Sequence, residues 1–106
     1  MNRYDEIDAD PAPGEVETTE LYYSPDALVK AFALGPGAAV DPHEHPDQTN
    51  VFHVLAGEVV VLAEGREEAV SAPGVVPFDR GVPHGARNES DAVAVFTATM
   101  GPMEAD

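Results

Sequence analysis

A chain of 106 residues holds enough sequence for one domain with one modest core, burying roughly two thirds of the unfolded surface, and argues against a second. With 20 Asp and Glu against five Lys and Arg, its formal charge of −15 repels phosphate backbones and anionic lipid, so nucleic acid and membrane surfaces are poor partners. Cysteine is absent, which excludes disulfides and thiolate ligands and leaves any metal to nitrogen and oxygen donors.

The elements follow in chain order. Residues 1–16 are acidic, contain Pro11 and Pro13 and lack periodicity, so they are expected to form an arm ahead of a domain spanning 17–106. Strands are expected at Glu17 to Tyr23, Val51 to Ala56, Glu58 to Ala63, Glu67 to Ala72, Gly74 to Phe78 and Ala92 to Thr99, separated by EGRE, APG and NESD. Short β-branched runs at that spacing point to an all-β barrel or sandwich. Ser24 to Gly35, SPDALVKAFALG, carries helix signals instead: Ser as N-cap, Pro25 at the first helical position, Asp26 in the first turn and Gly35 at the C-terminal cap. Its periodic part is only about eight residues, too short to stand alone. A strand from Leu28 to Leu34 is expected, with helix as the competing reading.

The acids are spread along the whole chain and Lys30 is the only lysine, a composition that resembles proteins of salt-accumulating halophiles, where dense salt screens self-repulsion. Plain solubility is the competing explanation. No apolar run reaches the roughly 18 residues of a membrane span, and MNRYDEIDADPAPG lacks the basic start and apolar middle of a signal peptide. A cytoplasmic location is expected.

The segment DPHEHPDQTNVFHVLAG, residues 41–57, concentrates the chemistry. If residues 43–45 are extended, His43 and His45 share a face while Glu44 points away. Their Cβ atoms would stand about 6–7 Å apart, a span one ion can bridge with two imidazoles at about 2.1 Å. A third histidine, His84, lies far along the chain in DRGVPHGARN, and a closed sheet is needed to bring it to the first two. On spacing alone, solvated loop histidines and a ligand set have even odds.

Two longer patterns change that balance. The segment from Gly37 through His43 and His45 to Gly57 fits the first motif of the cupin superfamily, Gx5HxHx3-4Ex6G, with Asn50 where the family usually has glutamate. Gly81, His84 and Asn88 fit the second, Gx5PxGx2Hx3N, with Asp79 in the proline position and Gly74 one residue closer than usual. The chain therefore resembles a single-domain cupin over half its length. The resemblance implies an antiparallel jelly-roll β-barrel holding a divalent transition metal (Fe, Mn, Ni, Cu or Zn) on His43, His45 and His84.

Asn50 is a neutral and weaker donor than glutamate, so it binds poorly or orients water, with Asp47 and Gln48 as fallback oxygen donors. Three neutral imidazoles leave the ion its full charge and an open position, which favours an anionic or enolate ligand. Similar three-histidine cupins include thiol and diketone dioxygenases. Phe52 and Val54 share the face of Asn50 and are expected to line the cavity, whereas His53 points oppositely and fits packing or an interface. Phe32, Phe78 and Phe96 are expected to fill core. Arg80 and Arg87 flank His84 and are expected either to clamp a substrate anion or to pair with surface acids. Asn88 suits a turn-stabilising hydrogen bond, and Gly35, Gly37, Gly57 and Gly81 suit backbone angles closed to other residues.

Two functions follow from these residues: a small-molecule dioxygenase using the three-histidine metal, or a non-enzymatic ligand- or metal-binding sensor of the same fold. A barrel that binds no metal and acts through its dimer surface is the third rival. A small-molecule ligand and a homodimer, with the arm over exposed sheet edges, are the expected partners.

Overall fold

Nine antiparallel strands follow one short 3-10 turn at Tyr4–Glu6 in the computed structural model, which describes residues 1–103. They are β1 (Val16–Tyr23), β2 (Leu28–Leu34), β3 (Ala39–His43), β4 (Thr49–Ala56), β5 (Glu58–Ala63), β6 (Arg66–Ser71), β7 (Gly74–Phe78), β8 (His84–Arg87) and β9 (Ala94–Gly101). A five-stranded sheet runs β1-β2-β9-β4-β7 and a four-stranded sheet runs β3-β8-β5-β6. The two face each other in the antiparallel jelly-roll arrangement.

Register explains what lies inside. Phe32 pairs with Phe96, Phe96 with Val54 and Val54 with Gly74, so this row crosses four strands on one face. The next row, Lys30, Ala98, Phe52 and Val76, and a third, Leu28, Met100, Asn50 and Phe78, share that face because side chains alternate with period two. Val59, Val61 and Ala86 meet them from the smaller sheet. The aromatic rings interlock: Phe32 stacks on Phe96 at 5.0 Å, Phe52 lies 4.6 Å from Phe96, and Phe78 meets Phe52 edge-on at 4.8 Å. Each buried ring contributes about 1.5–3 kcal/mol through the area it removes from water.

Leu28–Leu34 is a strand over the expected span, and the helix signals around it have another use. Ser24 Oγ accepts hydrogen bonds from the amides of Asp26 and Ala27, and Ser24 and Ala27 bond mutually through their backbones. The capping chemistry therefore closes the turn between β1 and β2. Ladders on both sides of β2 then outweigh its alanine content. Two strands escape the sequence pattern: β3 contains Pro42, and β8 opens HGAR, neither of which is a β-branched run. The other boundaries move by one or two residues, as with β4 beginning at Thr49 and β9 ending at Gly101.

The arm packs on the outer face of the larger sheet. Arg3 Nη1 donates to the Leu21 carbonyl at 3.0 Å, and the Asp8 amide donates to Thr19 Oγ1 at 3.4 Å. At Gly35 the requirement is clearance rather than an unusual dihedral: a Cβ there would collide with the Ala12 carbonyl as the arm passes. Gly57 does have a positive φ of 72°, in the one-residue turn between β4 and β5, as expected for that position.

Candidate metal centre

The register places His43 directly opposite His84 on the β3–β8 ladder. Chain-distant imidazoles meet because two strands of one sheet pair side by side, so no closed barrel is needed to join them. His45 lies just beyond β3, outside the ladder, and reaches the other two from the following turn. That turn is fixed from both sides: the Gly81 amide donates to the His45 carbonyl at 3.1 Å, and the Gln48 amide to the same oxygen at 3.4 Å. Gly81, with φ of 78°, thereby ties the second histidine segment to the first.

The three rings form a compact triangle. Centroids are 4.9 Å apart for His43 and His45, 4.8 Å for His43 and His84, and 5.4 Å for His45 and His84. One nitrogen of each ring lies within 4.8 Å of the others, and among the described residues neither Glu44 nor Asp47 joins the group. Imidazole nitrogens bound to one ion at about 2.1 Å stand at most about 4.2 Å apart, so small side-chain rotations would close the triangle. Burial is graded, with His43 exposed, His45 half-buried and His84 buried, which opens one side of the site to solvent.

Hydrogen bonds set which nitrogens are free. His43 Nδ1 donates to the Asp41 carbonyl at 3.0 Å and His84 Nδ1 to the Val82 carbonyl at 2.9 Å, leaving each Nε2 as the lone-pair donor. His45 Nε2 is buried without a partner, as is Asn50 Oδ1. Enclosed polar atoms of that kind lose hydration with nothing in return, and an ion held by the three imidazoles would give His45 a partner. The donor set of three imidazole nitrogens fits a divalent transition metal. Burial, followed by the charge of His43, lowers the pKa of His45. Burial also lowers that of His84, against the Val82 carbonyl, which raises it. Both rings therefore hold their neutral, ligating form to lower pH than a free histidine.

Asn50, on β4, faces the cluster, and its Nδ2 donates to His84 Nε2 at 3.0 Å. Phe52 and Val54 also face inward, Phe52 with its ring 5.6 Å from His84, while Phe78 stacks on the same imidazole at 4.7 Å. His53 is exposed on the opposite face of β4. Arg87 pairs with Glu67 and Glu89, and Arg80 is exposed without an ion pair among the described residues. A cavity of about 250 Å³ on this flank is lined by Pro42 and Pro83, which precede His43 and His84, together with Arg66 and Arg87. Asn88 is buried and holds the β8–β9 connection, donating to the Leu34 and Ala92 carbonyls at 2.9 and 2.7 Å and accepting from the Ser90 amide and hydroxyl. The carbonyls of Asp41 and Val82, which fix the tautomers, carried no signal in the sequence because any residue supplies one.

A two-sheet jelly roll with paired histidines at one rim defines a class, and the comparison with known proteins agrees with it. The cupin domain profile matches residues 31–100, and the chain belongs to that family. It is 27% identical to an oxalate-binding protein of Thermotoga maritima over 92 residues, covering 82% of this chain and 76% of the other. Among solved structures it is similar to the protein TT1209 of Thermus thermophilus, at 31% identity and a TM-score of 0.81, with 89% and 90% of the two chains covered. A predicted oxalate decarboxylase of Thermotoga maritima matches at 28% identity and a TM-score of 0.79, covering 82% and 80%.

Proposed function

We propose that this cupin holds a divalent transition metal on His43, His45 and His84 and uses it to bind and oxidise a small organic anion with molecular oxygen. The observation that carries the reading is the triangle of imidazole nitrogens within 4.8 Å, two of its rings oriented by backbone carbonyls. When bound, the ion supplies Lewis acidity, redox capacity and open positions for a chelating anion and oxygen.

The chain's own residues do the rest. Asp41 and Val82 fix the imidazole tautomers through their carbonyls. Phe52 and Phe78 wall the inner side of His84 and keep bulk water from it. Asn50 holds His84 through its Nδ2 and would have to release it when an ion binds, its buried Oδ1 then being free to face the ion or its water. Arg80, unpaired among the described residues, is the free guanidinium for an anion arriving at the exposed side, whereas Arg87 is already engaged by two carboxylates. The oxalate named for two relatives is a chelating dianion of the class such a site takes. The reading includes a cytoplasmic homodimer; no helix among the described residues is long and apolar enough to cross a membrane.

A non-enzymatic ligand-binding module is the second reading. It is favoured by Asn50 in place of a carboxylate and by the absence of a carboxylate from the cluster among the described residues, which leaves no general base beside the ion. Elemental analysis of protein purified without chelator comes first: less than about a tenth of an equivalent of metal removes both readings. Oxygen uptake and product analysis of the iron-loaded protein with oxalate, diketones, thiols and catechols then separate them. Turnover establishes the oxygenase, and tight oxalate binding without turnover establishes the module.

A further inference from the structure

We infer that Arg66 holds the far end of an anion whose near end sits on the ion, so that the site selects a diacid with an apolar spacer over oxalate. The inference rests on the reading that His43, His45 and His84 hold a metal. Register carries it: His43 pairs with His84, His84 with Ala63 and Ala63 with Arg66, one rung that crosses all four strands of the smaller sheet. Val70 packs on the core, and side chains alternate with period two, so Arg66 leaves β6 on that same inward side. A guanidinium thus shares the rung of two metal ligands, its Cα about 10 Å from that of His84 at two strand spacings.

The space along this rung suits such a ligand. Ala63 puts only a methyl group between His84 and Arg66. From there a cavity of about 380 Å³ has apolar walls in Val61, Ala63 and Val76, with the Arg66 side chain in its polar lining. Oxalate, whose carboxylates are bonded directly to each other, engages the ion with both and gains nothing from this cavity. A 2-oxo acid with about two methylenes before a second carboxylate chelates with its head, lays the methylenes along the apolar walls and offers two oxygens to the guanidinium fork.

Charge sharpens the selection. Of the five basic side chains, Arg3 and Arg87 are ion-paired, Lys30 lies over the Phe32 ring, and Arg80 stands in the turn ahead of β8, outside the rung. Arg66 has no ion pair among the described residues, although Glu64, Glu67 and Glu68 line the same cavity. Glu67 is held by Arg87. Glu64 and Glu68 are exposed and repel an incoming anion, so one that stops short of the guanidinium meets repulsion alone. Reach to Arg66 makes the cavity favourable, and ligand length becomes the selecting property.

The test is calorimetric titration of the nickel-loaded full chain with oxalate, 2-oxopentanoate and 2-oxopentanedioate, the last two differing only in the distal carboxylate. Wild type is expected to bind 2-oxopentanedioate about five- to tenfold tighter than 2-oxopentanoate. Arg66→Met should erase that advantage while metal content and the affinities for oxalate and 2-oxopentanoate stay as they are. Arg66→Lys should keep part of the advantage, and Glu68→Gln, which removes a repelling charge, should widen it. Arg66 and Glu68 are exposed, so the fold tolerates these changes. Equal binding of the two 2-oxo acids by wild type, or a preference that survives Arg66→Met, overturns the subsite and leaves the metal site standing. Wild type that retains no nickel on elemental analysis removes the metal reading and this subsite together.

Discussion

Asn50 Nδ2 lies 3.0 Å from His84 Nε2, so the amide caps the lone pair that the histidine would give to a metal. The bond costs nothing to form in the ion's absence and must be broken on binding. A glutamate in its place offers charge instead of a competing donor. Asn50→Glu is expected to tighten divalent-metal binding by about 10–100-fold, read by competition with a chromogenic chelator. Equal or weaker affinity in the variant removes Asn50 from the site.

One histidine inside the sandwich and one outside it give a paired test of the ligand set. His84 is buried in the triangle and His53 is exposed on the far side, so His84→Ala should lose metal retention and His53→Ala should keep it. Elemental analysis after gel filtration decides the matter, and the reverse pattern overturns the assignment.

Acid should act on the same cluster. Burial lowers the pKa of His45 and His84 in the folded protein, so on acidification the unfolded chain takes up protons before the native one does. Stability from these rings is full above the ordinary histidine value of about 6.5 and is lost as pH falls from there towards their folded values. Protons also compete for the ligand nitrogens. The metal-free protein is expected to melt at progressively lower temperature below about pH 6.5, with metal released over the same range. Melting temperatures that stay flat between neutral and mildly acidic pH would contradict the burial of these rings.

Asn88 is a structural hinge pin rather than a ligand. It donates to Leu34 and Ala92 and accepts twice from Ser90. Asn88→Ala leaves the buried Leu34 carbonyl without that donor and should cost about 2–4 kcal/mol in urea unfolding. A change below about 0.5 kcal/mol would mean that water replaces the amide.

Legibility in the sequence followed the kind of signal each element carries. Glu58–Ala63 was readable because β-branched residues crowd between two turn signals, whereas Leu28–Leu34 carried helix signals and is held as a strand by ladders on both sides. Strands β3 and β8 were not, since Pro42 and HGAR show no alternation and their pairing is imposed by the ladder between them. The three histidines were found through motif spacing, but the reason they meet, a cross-strand pair of His43 and His84, is a matter of register, which a single chain does not print.

His43 and His84 form the last rung of the β3–β8 ladder, at the end where β3 finishes. Terminal rungs breathe far more readily than the aromatic centre of the sandwich, because opening them exposes little apolar surface. An ion held there would sit beside a frayable edge: the exposed His43 could swing away while His84 stays packed against Phe52 and Phe78. Its exchange would accordingly be governed by the zip at one rim and not by the global unfolding of the protein.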